Sequence, residues 1–294
     1  MVRSVFSIRS LFYIVFAVLL TALLLYVRFP AEKFKIFCEE HIERLSPGSD
    51  CNISRFVYNF PFSAVLETVK ITRTISGQET EMIVDRLAVT PELLRFWKTF
   101  RISGEMYSGL FEARLDLDKK AETFQLTDIY FEGLEAGSLV ESIGISDRKL
   151  TGSFEFAGRY QASTDAPGDG VGSGVAQVVA GSMSLLQPIL SLSTIEYDHL
   201  AVNLSQQNGI VTFADGELAG KEIVANFIGE MHLDSPLLMS NINISGYLEP
   251  DDAFLRNHPE EQQFVQRLLQ KYEATVLPFK IGGTVQRPLF RFST

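Results

Sequence analysis

Residues 104–118 read GEMYSGLFEARLDLD. Tyr107, Gly109, Phe111, Ala113, Leu115 and Leu117 fall on one side of an extended chain. Ser108, Glu112, Arg114, Asp116 and Asp118 fall on the other. Successive side chains of a strand point to opposite faces, so this alternation predicts a strand with one dry and one wet face.

The pattern recurs outward from this stretch. In LTGSFEFAGRY (150–160), Leu150, Gly152, Phe154, Phe156, Gly158 and Tyr160 alternate with polar residues. In EIVANFIGEMHLD (222–234) the apolar set is Ile223, Ala225, Phe227, Gly229, Met231 and Leu233, and LPFKIGGTV (277–285) repeats the device. Strands of a parallel sheet would be apolar on both faces, so one-sided alternation predicts a largely antiparallel sheet. Glycine keeps returning to the apolar side, at Gly109, Gly152, Gly158, Gly229 and Gly283. Inside strands glycine marks bulges or bends, which predicts a curved, half-closed sheet.

Two stretches interrupt the alternation. STDAPGDGVGSG (163–174) is rich in turn formers and predicts a flexible loop inside one continuous sheet. The second is a late helix, with Asn257 or His258 as its cap, Pro259 in its first turn, and Phe264, Val265, Leu268, Leu269 and Tyr272 as its apolar face.

Ahead of the strands, residues 10–27 read SLFYIVFAVLLTALLLYV without a charge. At about 1.5 Å per residue such a stretch just spans a bilayer core, and its end offers no signal-peptidase site. It therefore predicts an uncleaved, single-pass transmembrane anchor. Residues 1–9 form a cytoplasmic tail on this reading, and residues 28–47 a juxtamembrane amphipathic helix. Residues 51–294 become a β-rich domain on the outer face of a cell inner membrane, in the periplasm. The fold class expected is thus mainly β, an N-terminal transmembrane helix plus a curved antiparallel sheet with a short juxtamembrane helix and one late helix.

A formal charge of −10 and a pI near 5.0 argue against a nucleic-acid partner. Cys38 and Cys51 are the two cysteines, and they either close a short disulfide loop or remain free thiols. His41, His199, His232 and His258 are scattered without metal-ligand spacing. GDGVGSG (168–174) has the wrong glycine spacing for a dinucleotide fingerprint, and no βαβ unit surrounds it. No catalytic, metal or cofactor site emerges, which predicts a non-enzymatic protein without a cofactor.

The order of parts, together with the closing LPFKIGGTVQRPLF (277–290), resembles the type II secretion system protein N family, related in style to AsmA-like periplasmic proteins. The resemblance implies a scaffold or accessory component of a protein secretion machinery, partnered by other inner-membrane components. Its AsmA-like side implies an alternative, a lipid-binding or lipid-transfer protein with phospholipid as partner. An apolar groove lined by Phe111, Leu115, Phe154, Phe156, Phe227 and Met231 would hold the acyl chains. The same faces would equally build a closed core filled by their own side chains.

Overall fold

The computed structural model describes residues 12–17, 20, 30–45, 48–59, 63–75, 78–92, 95 and 98–293. A helix, α1 (Ala31–Leu45), precedes the strands β1 (Ser49–Asn59), β2 (Ser63–Ile75) and β3 (Gln78–Pro91). Next come β4 (Thr99–Met106), β5 (Gly109–Asp118) and β6 (Thr123–Glu135), then the short helix α2 (Ala136–Ser142). The middle of the chain forms β7 (Ser153–Ser163), β8 (Val171–Ile189) and β9 (Leu192–Gln207). β10 (Ile210–Gly220), β11 (Ile223–His232) and β12 (Asn241–Pro250) follow. Helices α3 (Asp252–Asn257) and α4 (Pro259–Tyr272) then lead into β13 (Leu277–Gly283) and β14 (Pro288–Phe292).

The 14 strands of the described residues join one sheet in sequence order. Each pairs antiparallel with the next, as in Phe111↔Phe131, Phe131↔Phe156 and Phe156↔Ala176 across β5 to β8. The sheet is open, with β1 and β14 as its edges, rather than half-closed. The expected transmembrane helix also needs correction. No helix among the described residues is long and apolar enough to cross a membrane. Of residues 10–27, only 12–17 and 20 are described; they are helical and their side chains are exposed. The expected tail, residues 1–9, lies outside the described residues.

Three further expectations change. The alternating stretch 104–118 is two strands, because Tyr107 and Ser108 both have positive φ (47° and 64°) and turn the chain between β4 and β5. Two such residues in succession give the turn whose twist matches paired strands, and Leu190–Ser191 and Asn208–Gly209 repeat it. The predicted loop 163–174 ends early, since β8 begins at Val171. The turn before it is tied to Tyr160, whose hydroxyl donates to Pro167 O at 2.7 Å and accepts from Gly170 N–H at 3.0 Å.

The third change concerns the glycines. Kinks within strands fall at Thr68, Asp128, Ala180 and Asp215, all with positive φ, and register slips accompany those at Asp128 and Asp215. Several glycines of the apolar face instead make room for rings. A Cβ at Gly158 or Gly174 would stand 2.6 or 2.5 Å from Phe156 Cζ, and one at Gly104 would stand 2.6 Å from the Phe111 ring. These glycines let aromatic side chains lie close to the neighbouring backbone.

Among the described residues two buried clusters hold the sheet. The first joins Cys51, Ile53, Phe56, Leu66, Val69, Met106 and Leu134, with Ala31, Cys38 and Ile42 of α1 packed against it. The second joins Tyr197, Leu218, Ile223, Leu248, Leu277 and Phe279 with Phe254 of α3 and Val265 of α4. Asp251 caps α3, its carboxylate accepting from Ala253 N–H at 2.7 Å and Phe254 N–H at 3.3 Å. Both clusters sit toward the strand ends at the Tyr107–Ser108 and Leu190–Ser191 turns, called here the lower ends.

Helix α1 also guards an edge. Glu39 and Glu43, one turn apart, accept from the N–H groups of Ile53 (2.8 Å) and Cys51 (3.1 Å) on edge strand β1. Alternate donors of an edge strand point away from the sheet, so two carboxylates at i, i+4 spacing match two of them.

Candidate functional site: an uncovered apolar face

Ladder register assigns each residue to a face, since directly paired residues share one. Phe100↔Leu115, Leu117↔Phe124 and Leu126↔Tyr160 carry one apolar face across β4 to β7. Gly174↔Leu204 and Leu204↔Phe213 continue it through β8 to β10. These side chains belong to the upper part of the face, beside the turns at 119–122 and 208–209.

They differ from the lower part in one respect. Ile102, Leu115, Phe124, Leu126, Leu204 and Phe213 are half-buried, and they belong to neither buried cluster. Among the described helices, α1 packs on β1, α2 on β3 and β6, and α4 on β13. The result is an apolar floor crossing seven adjacent strands. At about 4.8 Å per strand spacing it is roughly 30 Å wide.

The six residues expected to line a groove all project to this face, but they divide between core and floor. Phe154 packs against both buried clusters, Phe227 against the second and Phe111 against the first. Leu115, Phe156 and Met231 are half-buried and lie in neither. Phe111, Phe131 and Phe156 form a continuous row of rings, with centroids 6.1 Å apart at each step. Sequence reasoning missed Phe124 and Leu126 on β6. Their signal was present, since Phe124-x-Leu126 and Ile129-x-Phe131 alternate on either side of one extra residue, the mark of a bulge.

The opposite face mixes charge with exposed apolar side chains such as Leu110, Val175 and Ile228. It carries a depression of about 690 Å³ whose lining includes Arg86, Glu105, Leu110, Glu112, Tyr130 and Val175. Exposed pairs such as Arg101–Glu112 (3.4 Å) and Lys70–Glu81 (2.6 Å) span adjacent strands there.

Cys38 and Cys51 are both free thiols in this structure, not a disulfide. Burial, followed by the nearby Glu39 carboxylate, pushes the Cys51 thiol up to about 11, and burial also raises Cys38. Burial likewise raises Tyr197, whose hydroxyl donates to Thr151 O at 3.0 Å. Among the described residues no group of three or more His, Cys, Asp or Glu is placed to hold a metal ion.

No family model, curated protein or solved structure matches this chain.

Proposed function

We propose that the protein is a non-enzymatic lipid carrier that holds acyl chains along the upper apolar face of its sheet. One observation carries this reading: half-buried apolar side chains on seven neighbouring strands, β4 to β10, belong to neither buried cluster. Apolar surface left in water costs roughly 25 cal/mol per Å². An acyl chain laid on the floor removes both its own surface and the floor's, at about 0.8 kcal/mol per buried methylene. Its length, roughly 15 Å as half of a bilayer core, fits within the width of the floor. Because the floor runs across strands without a fixed end among the described residues, it suits chains of varied length, held without chemical change.

The test uses the full-length protein purified in mild detergent beside a Leu115→Asp/Leu126→Asp variant. Mass spectrometry should find phospholipid retained by the unaltered protein and several-fold less on the variant. Equal retention by both would show that the lipid sits elsewhere and would remove this reading.

A further inference from the structure

One corner of the floor's upper rim gathers three lysines in a chain that is acidic as a whole. Lys98 lies in the connection between β3 and β4, and its carbonyl accepts from Leu117 N–H at 2.7 Å. Lys119 and Lys120 form the next turn, between β5 and β6. The three lysines therefore gather at one corner, directly beyond Leu117 and Phe124, the paired residues that begin the floor. All three are exposed, and among the described residues none has an ion-pair partner within 4.0 Å.

The neighbouring carboxylates are mostly engaged. Glu92 and Asp116 both pair with Arg114, at 3.2 and 3.4 Å. Asp118 accepts from the N–H groups of Lys120 (2.9 Å) and Ala121 (3.3 Å), with Lys98 as a further positive neighbour. Glu122 is the remaining acid of the turn.

We propose that Lys98, Lys119 and Lys120 receive the anionic phosphate head group of a phospholipid whose acyl chains lie on the floor beginning at Leu117 and Phe124. This deepens the carrier reading and rests on it. An acyl chain needs a dry surface and a phosphate needs cations, and this corner places both within one strand spacing. Lysine serves here as a point charge rather than a shaped clamp, so selection falls on head-group charge and not on head-group structure. It is an exposed cluster, so its attraction weakens as salt rises.

The experiment loads full-length protein from nonionic micelles containing equal amounts of phosphatidylglycerol and phosphatidylcholine, then quantifies retained lipid by mass spectrometry. The unaltered protein should hold phosphatidylglycerol in at least about fivefold excess, the factor one lysine supplies at an anionic surface. Lys98→Gln/Lys119→Gln/Lys120→Gln should bring the ratio close to one by lowering the phosphatidylglycerol retained, with phosphatidylcholine still held. Inorganic phosphate should lower the ratio no more than sodium chloride of equal ionic strength if the lipid is the true ligand. If phosphate abolishes the excess while sodium chloride of equal ionic strength preserves it, the corner binds free phosphate and the proposal fails. An unchanged ratio in the triple variant also overturns it and leaves the carrier reading standing. If neither protein retains lipid, both readings fall together.

Discussion

The ring of Phe156 occupies the space in which a side chain at Gly174 would stand. A Cβ there would meet Phe156 Cζ at 2.5 Å and Ala157 O at 2.7 Å. The ring covers backbone of two strands, because Gly158 and Gly174 are directly paired and both lie under it. Gly174→Val should therefore destabilise the sheet by about 1–3 kcal/mol through overpacking. In a Phe156→Ala background the ring is gone, so the added cost of valine should shrink. Denaturant unfolding of the four proteins of this cycle measures the coupling, and simple additivity would refute the contact.

Glu39 and Glu43 predict where exchange of amide hydrogens is slow. They hold the outward N–H groups of Cys51 and Ile53, so those amides should be protected although β1 is an edge. Glu39→Ala/Glu43→Ala should lose that protection and cost about 1–3 kcal/mol for two charge-assisted bonds at a partly exposed site. Hydrogen exchange followed by mass spectrometry resolves this segment. Protection persisting in the variant would mean that α1 is held to β1 by its apolar contacts alone.

Arg148 ties the segment after α2 to the far end of the chain. Its Nη2 donates to Val285 O at 3.0 Å and Gln286 O at 3.1 Å, while its Nε pairs with Asp147 at 3.0 Å. Lysine cannot reproduce this fork. Arg148→Lys should lower stability by about 1–2 kcal/mol and speed proteolysis between β13 and β14. Identical cleavage kinetics would show that the turn stands without the tie.

The Cys51 thiol supplies a prediction with a defined pH window. Its value is pushed up to about 11, by burial first and by Glu39 next. Because the folded value exceeds the ordinary 9.0, the associated stability is complete below pH 9 and is lost as pH rises through about 11. Only the thiolate alkylates. At pH 8 iodoacetamide should label Cys51 at least about tenfold more slowly in the native protein than in urea, given a rise of about two units. Comparable rates would show that the thiol is neither buried nor shifted.

Much of the strand content was legible in the sequence. Alternation marked 150–160, 222–234 and 277–285, where β7, β11 and β13 lie. It misled at 104–118, because a turn of two residues preserves the period of two across itself and so hides the reversal at Tyr107–Ser108. Asn208-Gly209 announced the same reversal openly. Composition misled at 171–174. Gly172 and Gly174 read as linker, yet both are strand residues set beside Tyr160 and Phe156, a role visible only once β7 and β8 are paired. The floor was half visible, since alternation assigns a residue to a dry face without telling whether anything covers that face. Its basic corner was invisible, because Lys98 and Lys119 are twenty-one positions apart and meet only through the pairing of β4 with β5.

The unbroken order of strands from β1 to β14 has an evolutionary consequence. Each strand lies beside its neighbour in sequence, so a hairpin inserted between two of them would widen the sheet without reordering what lies on either side. Like a repeat array, such a surface can be lengthened in increments of two strands, or roughly 10 Å. Its breadth is then a quantity that selection can adjust by duplication alone.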